Sequence, residues 1–429
     1  MLEGGVYFSG SLSNNIKNNY LFNNTGSGAF TLYSSVNFNN FINNTIKDNS
    51  NNAISLDGSD SNNFINNTIT TIFGTSTNKA FSLTGNSDHN IFKNNILNGY
   101  ASGIYCSPTN TNNTIIENII SNFYQGVYLF SAGSSNNIIA NNTISNGNSG
   151  IIIYSNSNRI ENNVISDVSS GYKGIYLSSN SNNSVKNNII SNSLGDGINL
   201  DSSSNNTIVN NTLNTIRDYA IYLQDSNSNN FSNNYLENCS TNWKSCVYLE
   251  DSSYNLFEKG NINHSTDYSG GIVINASSSN NASHNIFRDM SITEMHTTDI
   301  VLKNASSTAY ALNNTFINVS YDSESLTKNT ELIRRWYYQA KVNDANSENA
   351  ENAEVKAYNK TGALILSLTT GSTGYIGLGE IIDYININGV KTYYSNYTIY
   401  ASNITYTASH SYNTTLNQNN YKDVFTLTE

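Results

Sequence analysis

The chain has 429 residues, of which 37% are hydrophobic and 12% are charged, and its formal net charge is −11. This charge would repel a phosphate backbone, so nucleic acid is not an expected partner. No stretch reaches the roughly 18 apolar residues of a transmembrane helix, and the regular recurrence of Ile and aromatic residues argues against a disordered polar tract.

The first residues read MLEGGVYFSG and lack the apolar segment of a signal peptide. GGVYFSG already resembles the pattern that recurs further along the chain. We therefore expect the sequence to begin inside a repeat array, with a signal peptide and an N-terminal region missing from it.

Asparagine-rich turn signals then recur along most of the chain, at intervals of roughly 21 to 30 residues. Aligning the second Asn of each turn pair, or its equivalent, gives Asn15, Asn40, Asn63, Asn90, Asn113, Asn137, Asn158, Asn183, Asn206, Asn230, Asn255, Asn285 and Asn314. Asn tolerates the left-handed backbone conformation that tight turns need. Stacked Asn side chains can also hydrogen-bond from coil to coil, so Asn113, Asn137, Asn158, Asn183, Asn206 and Asn230 are predicted to form a structural ladder.

Short β-branched segments lie between these turns, among them GIYC (103–106), GVYL (126–129), GIYL (174–177) and CVYL (246–249). A period in the twenties without helical periodicity is typical of a β-solenoid. About thirteen coils, each rising ~4.8 Å, would form a rod roughly 60 Å long.

The segments NNTISN (141–146), NNIISN (187–192) and GIYLSSNSNN (174–183) resemble the repeats of NosD-type and archaeal cell-surface β-helix proteins. The resemblance covers about residues 5–320 and implies an all-β, right-handed parallel β-helix of the pectate-lyase kind. It leaves the activity open, because this architecture carries lyases, hydrolases, epimerases, adhesins and surface-layer proteins.

The Asn rhythm stops near residue 320, which predicts a β-helix at 1–320, a linker at 321–331 and a second domain at 332–429. Segments such as YTIYASN alternate in the manner of strands, with an Asn388-Gly389 turn. This part resembles a small immunoglobulin-like β-sandwich of the carboxypeptidase-regulatory type, although NSENAENAEV (346–355) replaces the usual Gly-x-Pro. Its expected role is a spacer or a cap on the solenoid.

The residue after the inward Ile or Val of each GIYL-type strand points outward. Parallel stacking predicts one ligand-binding column of tyrosines, consisting of Tyr105, Tyr128, Tyr176, Tyr222 and Tyr248, with Ile152 and Asn199 between them. A row of rings suits the flat faces of sugars. The alternative is that the rings only stabilise neighbouring strands.

Carboxylates accompany the tyrosines. Asp201, Asp225 and Glu250 each precede an anchor Asn by five residues and are expected in adjacent coils, with Asp251 beside Glu250 and with Asp196 and Asp218 paired on the opposite flank. Paired carboxylates can hydrolyse glycosides or hold calcium. The alternative is a set of ordinary solvated acids. No cofactor is predicted apart from this possible calcium.

The enzymes of this architecture provide a sharper comparison. The Asn-Thr-Asp, Asp-Asp and Gly-His-Gly set of polygalacturonases is missing. The Asp-Pro-His-Asp motif of mannuronan epimerases and the arginine motif of pectate lyases both need a proline, and Pro108 in Ser-Pro-Thr is the only one. This weighs against an enzyme without eliminating it.

The NosD resemblance implies a copper-binding site as a candidate. Its weak candidate ligands are His284, Met290, Met295 and His296, because His and Met side chains suit that metal. The alternative is core and surface residues without metal. Cys239 and Cys246 are close enough in sequence to form a disulfide in an oxidising compartment. Cys106 reads as a small core residue.

Glycosylation signals of the form Asn-x-Ser/Thr also recur, including those at Asn43, Asn66, Asn141, Asn210, Asn359 and Asn403. Those in the C-terminal domain are the better predicted acceptors. The sequence thus favours an extracellular, archaeal, cell-surface glycoprotein: a rigid, non-catalytic adhesion stalk that contacts glycans or neighbouring surface proteins. The alternative is a polysaccharide-acting lyase, hydrolase or epimerase.

Overall fold

The computed structural model describes residues 5–24, 28–71, 77–239, 244–265, 270–278 and 280–428. Within these ranges the chain is all-β except for one four-residue helix, Thr414–Asn417. Each coil contributes three short strands to three parallel columns, which confirms the predicted parallel β-solenoid. Among the described residues, no helix is long and apolar enough to cross a membrane.

We call the first column the front sheet. Its 14 strands are Val6–Ser9, Phe30–Tyr33, Ile54–Asp57, Lys79–Thr84, Ser102–Cys106, Gln125–Leu129, Ser149–Ile153, Lys173–Ser178, Asp196–Asp201, Ile221–Gln224, Ser245–Glu250, Gly270–Ala276, Ile300–Asn304 and Glu324–Leu326.

The second column consists of Asn15–Lys17, Asn40–Ile42, Asn63–Ile65, Ile91–Lys93, Thr114–Ile116, Ile138–Ala140, Arg159–Glu161, Ser184–Lys186, Thr207–Val209, Asn230–Ser232 and Leu256–Glu258. The third consists of Tyr20–Phe22, Thr45–Lys47, Thr68–Thr70, Ile96–Asn98, Ile119–Ser121, Thr143–Gly147, Val164–Val168, Ile189–Ser193, Thr212–Ile216, Tyr235–Cys239 and Asn261–Ser265. The long strand Ile286–Thr293 continues both columns, and Ala311–Ser320 follows it.

The core is a set of apolar stacks that run along the axis of the solenoid. At one end Phe41, Phe64 and Phe92 stack with ring centroids 4.8 and 5.2 Å apart. Further along, Phe231 and Phe257 stack at 4.3 Å. All of these side chains are at most 3% exposed, because the alternation of side chains along each three-residue strand directs its middle residue inward.

An Asn ladder stabilises the turn before the second column. Each ladder Asn accepts from the backbone N–H of the Asn one coil earlier and donates its own N–H to the next, as in Asn183 to Asn206 at 2.8 Å and Asn206 to Asn229 at 2.8 Å. The ladder contains Asn14, Asn39, Asn62, Asn90, Asn113, Asn137, Asn158, Asn183, Asn206, Asn229, Asn255, Asn285 and Asn314. The predicted member Asn230 is wrong by one residue, because it is exposed on the second column and Asn229 takes the buried place.

A second Asn ladder, absent from the sequence interpretation, lies five residues further along each coil. Asn188 illustrates its bonding: its Nδ2 donates to Asn211 Oδ1 at 3.0 Å and to the Ile160 carbonyl at 2.9 Å. The members are Asn19, Asn44, Asn67, Asn95, Asn118, Asn142, Asn163, Asn188, Asn211 and Asn234. Exposed residues with positive φ, such as Asn187 (φ 54°) and Asn210 (φ 55°), precede these Asn and turn the chain.

The segment 321–331 differs from the predicted linker. Its strand Glu324–Leu326 pairs with Ile300–Asn304 as the last member of the front sheet. The first part of the following strand, Thr330–Asn343, lies between two others: it pairs parallel with Ala311–Ser320 on one edge and antiparallel with Gly379–Ile387 on the other. The solenoid therefore passes directly into the C-terminal part through one continuous strand.

In the C-terminal part, where the sequence predicted an immunoglobulin-like β-sandwich, the structure contains a small antiparallel sheet formed by Leu364–Thr369, Glu354–Tyr358, Tyr397–Ser402 and Thr407–Tyr412. Its other strands, Gly379–Ile387, Val390–Tyr393 and Asn420–Thr426, join the strand shared with the solenoid. Both sets contribute to one core, which includes Val355, Ile399, Ile381 and Phe425. The Asn388-Gly389 turn connects two of these strands, with positive φ at both residues.

Cys239 and Cys246 form a disulfide, and Cys106 is a buried free thiol. Both disulfide cysteines lie in the solenoid core. The bond closes a short loop, for which chain entropy gives a stabilisation of roughly 2–3 kcal/mol.

Replacing both Cys239 and Cys246 by alanine is accordingly expected to lower the free energy of unfolding by about 2–3 kcal/mol. Chemical denaturation measures this, with Cys106→Ala as a control that should cost about 1 kcal/mol. Reducing agent should reproduce the loss in the wild type and leave the double variant unchanged. Equal loss in both proteins on reduction would contradict the prediction.

Candidate functional site

The tyrosines singled out from the sequence lie in one register column on the outer side of the front sheet. Pairing runs through Ser82, Tyr105, Tyr128, Ile152, Tyr176, Asn199, Tyr222, Tyr248, Val273 and Val301. We use the name tyrosine strip for the aromatic residues of this face, which are Tyr105, Tyr128, Phe130, Tyr154, Tyr176, Tyr219, Tyr222 and Tyr248. The tyrosine rings are half-buried rather than fully exposed, and this burial raises the pKa of Tyr176 and of Tyr248 to about 12.

Glycine is the second residue of several strands of this sheet because the coils approach closely there. A Cβ on Gly126 would lie 2.5 Å from the Gly150 carbonyl oxygen and 2.7 Å from a methyl group of Ile144. This crowding accounts for the glycine of the GIYL-type segments.

The upper part of the strip is a chain of edge-on ring contacts. Tyr105 and Tyr128 lie 5.5 Å apart between centroids, and Tyr154 contacts Tyr128 at 5.9 Å and Tyr176 at 6.1 Å. Phe130 packs 5.5 Å from Tyr128. Sequence reasoning missed Phe130 and Tyr154, although each directly follows the last residue of a front-sheet strand.

The lower part is a compact cluster of three tyrosines. Tyr219 lies 4.9 Å from Tyr222 and 4.9 Å from Tyr248, and Tyr222 and Tyr248 are 5.7 Å apart. Lys244 and Lys303 place their ammonium groups 5.2 Å from the rings of Tyr219 and Tyr248 respectively. Tyr219 was missed because it precedes the strand and breaks the column pattern.

Two carboxylates border the tyrosines through phenol hydrogen bonds. Tyr176 donates its hydroxyl hydrogen to Asp201 at 2.9 Å, and Tyr222 donates to Glu250 at 2.5 Å. Asp201 and Glu250 share one register column with Gln224 between them and Asn275 after Glu250. The strip therefore has a rim of alternating charged and amide groups.

Asp225 does not belong to this column, contrary to the sequence interpretation. The column member is Gln224, because the ladder residue of that coil is Asn229 and not Asn230. Asp225 sits at a turn with φ 47° and accepts from Asn280 at 2.8 Å. Asp251 also lies at a turn, is buried, and accepts from the backbone N–H and hydroxyl of Ser277.

Asp196 lies on the other flank of the strip. Burial is the main cause that raises the pKa of its carboxyl, and the nearby charge of Asp218 acts in the same direction. Asn199 Nδ2 donates to Asp196 at 2.7 Å, the Tyr219 backbone N–H donates at 3.2 Å, and both bonds counteract the rise. Lys173 occupies the register position of Asp196 on the preceding coil.

The four copper candidates are not brought together as a cluster of donors. Met290 is buried in the core and Met295 packs against it. The ring of His284 stacks on Tyr254 at 4.9 Å, and His296 is exposed at a turn. Within the described ranges, no group of three or more His, Cys, Asp or Glu side chains could hold a metal ion.

The glycosylation signals divide by exposure in an unexpected way. Asn43, Asn66, Asn141 and Asn210 are exposed turn residues, and the residue after each is the buried ladder Asn. Asn403 is exposed too, whereas Asn359 is buried and its Oδ1 accepts from Thr361 and Ala363. The preference for C-terminal acceptors therefore fails at Asn359, because this side chain organises a turn.

Comparison with known families places two profiles on the solenoid. Residues 131–287 match the family described as a right-handed beta helix region. The solenoid is a right-handed parallel β-helix. Residues 1–128 match the family described as periplasmic copper-binding protein (NosD). The β-helix segment matched by the second profile contains His89 as its only histidine and the buried Cys106 as its only cysteine, so its donor set does not fit a copper site.

Several solved structures resemble this β-helix at low sequence identity. A double mutant of the periplasmic alginate epimerase AlgG is 15% identical, with 75% of each chain covered and a TM-score of 0.42. DFA-IIIase from Arthrobacter chlorophenolicus is 12% identical, with 70% of each chain covered and a TM-score of 0.40. The receptor binding domain of the Siphovirus 9NA tailspike is 11% identical over 94% of this chain and 86% of its own, at a TM-score of 0.36.

These similarities carry no argument about activity at such TM-scores and identities. A comparison with curated proteins finds no significant match. The function must therefore be inferred from the side chains of the solenoid itself.

Proposed function

We propose that the chain is an extracellular surface protein whose β-helix is a rigid support for a saccharide-binding face, the tyrosine strip. The observation that carries this proposal is the cluster of Tyr219, Tyr222 and Tyr248, whose rings lie within 5.7 Å of one another on an outer face. Aromatic rings with polar groups at their margins are the usual components of a ligand-binding surface.

The polar margin fits the hydroxyl groups of a sugar. Gln224 and Asn275 offer amide donors and acceptors, while Glu250 offers carboxylate oxygens next to the Tyr222 phenol. A pyranose ring could lie against a tyrosine face and direct its hydroxyls to this margin. Because the strip carries the carboxylates of Asp201 and Glu250 and also the ammonium groups of Lys244 and Lys303, its charges are mixed and it favours a neutral saccharide over an acidic one.

Two observations favour an extracytoplasmic location. A disulfide such as Cys239–Cys246 persists in oxidising compartments. The NosD profile describes periplasmic proteins. We further propose that the exposed sequon residues Asn141 and Asn210 are accessible to glycosylation, and that neighbouring surface proteins are the alternative partners of the strip.

Binding takes precedence over catalysis because of how the carboxylates are placed. Asp201 and Glu250 lie two coils apart, roughly 10 Å at the usual strand spacing, which slightly exceeds the usual separation in inverting glycosidases. Each also accepts a hydrogen bond from a phenol.

A polysaccharide-acting enzyme remains the second candidate, favoured by the raised pKa of the Asp196 carboxyl beside Asp218. A carboxyl of this kind can serve as a general acid. Assaying neutral and acidic polysaccharides for new reducing ends or unsaturated products tests this. Turnover that disappears in Asp196→Asn while saccharide binding persists would replace the binding proposal with an enzymatic one.

The strip itself is tested by the double variant Tyr222→Ala with Tyr248→Ala. We expect at least a tenfold loss of saccharide affinity on a glycan array and in titration calorimetry, since stacking area and the Glu250 geometry are lost together. Tyr235→Ala is the matched control, because Tyr235 is half-buried on the outer side of the third column.

A result in which Tyr235→Ala weakens binding as much as the double variant would place the saccharide elsewhere. If the wild type binds no saccharide and the double variant loses self-association instead, the strip is a protein contact.

A further inference from the structure

A cleft of about 800 Å³ opens on the outer side of the small C-terminal sheet, far along the chain from the tyrosine strip. Lys356 and Tyr358 project into it from the strand Glu354–Tyr358, and Thr398 and Tyr400 from the neighbouring strand Tyr397–Ser402. Lys356 pairs directly with Tyr400, and Tyr358 with Thr398. Its volume falls within the range of small-molecule sites.

The walls of this cleft are fixed by turns rather than left to loose loops. Asn359, which is 5% exposed, accepts from the backbone N–H groups of Thr361 and Ala363 at 3.0 and 2.9 Å. Its own N–H bonds to the Ala363 carbonyl, so the turn that carries Lys360 is closed on itself. On the other side Asn396 accepts from Asn413 at 2.8 Å.

The charge of the cleft is opposite to that of the chain as a whole. Lys356 and Lys360 line it, and none of its lining residues in the described ranges is a carboxylate. Lys356 forms an ion pair with Glu354 at 2.7 Å, while Lys360 has no ion-pair partner in the part of the chain that the structure describes. In a protein of formal net charge −11, this cleft is a local site for an anion.

Two rings supply apolar surface beside these ammonium groups. Tyr358 and Tyr400 meet edge to face with centroids 5.8 Å apart, and Tyr400 is 44% exposed. A ring next to a lysine suits a sugar that carries a carboxylate, because the pyranose stacks while the ammonium binds the acid group. An acidic peptide would use the lysines without needing the rings.

We propose that this cleft binds an anionic saccharide, with uronic acid residues as the chemical class, and that it is a second site independent of the tyrosine strip. The strip carries both carboxylates and ammonium groups, whereas the lining of the cleft carries ammonium groups without a carboxylate in the described ranges. The strip is therefore expected to select a neutral saccharide and the cleft an anionic one.

The experiment is a calorimetric titration of the full chain with tetragalacturonate at low salt. Its neutral methyl ester and hexaglutamate are titrated in parallel. We expect the tetragalacturonate to bind at least tenfold more tightly than the ester, and the affinity to fall as the salt concentration rises. Tyr400→Ala and Lys360→Ala should each weaken it at least fivefold.

Lys422→Ala is the matched control for charge, because Lys422 is exposed and lies outside the cleft. The double variant Tyr222→Ala with Tyr248→Ala should bind tetragalacturonate as the wild type does, which separates this site from the strip. An unchanged melting temperature shows that each variant folds.

Failure of the wild type to bind tetragalacturonate would overturn the proposal. So would equal binding of the ester, loss of binding in the strip variant, or a Tyr400→Ala protein with unchanged affinity. Binding of hexaglutamate as tightly as the uronate would make the cleft a general carboxylate site and would likewise overturn it.

Discussion

Replacing Asn229 by leucine is expected to lower the free energy of unfolding by about 3 kcal/mol or more. The Asn229 side chain is 1% exposed and accepts from the backbone N–H of Asn206 at 2.8 Å, while it donates to the Ser203 carbonyl at 3.0 Å. Leucine can make neither bond. Each buried polar group left without a partner costs roughly 1–3 kcal/mol.

The neighbouring variant Asn230→Leu is the control, with an expected change within about 0.5 kcal/mol. Asn230 is exposed on an extended strand, and the residue in its register position one coil later is Leu256. The midpoint of chemical denaturation measures both variants, and hydrogen exchange should show the loss of Asn229 concentrated in the flanking coils. Equal effects at the two positions would mean that the ladder does not pass through Asn229.

Glu324→Ala is expected to cost about 3 kcal/mol or more, because it removes the centre of a polar cluster between the solenoid and the C-terminal sheets. The Glu324 side chain is 3% exposed and forms an ion pair with Lys391 at 3.1 Å. Its carboxylate accepts from the phenols of Tyr321 and Tyr384 at 2.6 and 2.5 Å, and from Asn386 at 2.7 Å.

The same cluster predicts a pH dependence. Burial alone would raise the pKa of Glu324, but the hydrogen bonds from Tyr321, Tyr384, Asn386 and Lys391 outweigh it and lower the pKa. A lowered pKa in the folded state means that the stabilisation is present above the unfolded value of about 4.3 and disappears as the pH falls through the folded value.

The measurement is the difference in melting temperature between the wild type and Glu324→Ala at pH 7 and at pH 3. We expect the difference to be smaller at pH 3, because this pH lies below the unfolded value and the stabilisation is lost as the pH falls towards the lowered folded pKa. Glu351→Ala, at an exposed residue, should change neither value. A difference that is independent of pH would show that Glu324 stabilises the junction through packing and not through its charge.

The solenoid could be predicted because short sequence patterns indicate both its turns and its core positions. The repeat alone predicts inward positions for Ile208, Leu213, Ile221 and Leu223, and all four side chains are at most 1% exposed. The register of the tyrosine column followed from the same alignment.

The ladder prediction was wrong at Asn230, because a pair of Asn residues in the sequence does not indicate which of the two is buried. The available signal was the alternation of the strand that follows. A ladder Asn stands two residues before the inward apolar residue, as Asn206 does before Ile208 and Asn229 before Phe231. The same error led to Asp225 being predicted in the register column of Asp201 and Glu250, where the structure has Gln224.

The C-terminal boundary could not be found from Asn content. Glu324–Leu326 and Thr330–Asn343 continue the parallel pairing after the ladders have ended. The solenoid therefore extends beyond the last Asn of the repeat pattern. Aromatic neighbours such as Tyr219 and Tyr154 were missed for a related reason. They reach the strip from turns and strand ends, where periodicity no longer fixes the direction of a side chain.

The two Asn ladders also show where this molecule can tolerate change in length. From Asn14 to Asn229, successive members of the first ladder are 25, 23, 28, 23, 24, 21, 25, 23 and 23 residues apart, and those of the second ladder are separated by the same numbers coil by coil. Over these coils the variation in coil length therefore lies entirely outside the five-residue corner between the ladders. The corner therefore has a constant length in these coils. A whole coil could be duplicated or lost at this corner, while changes in length are confined to the rest of each coil.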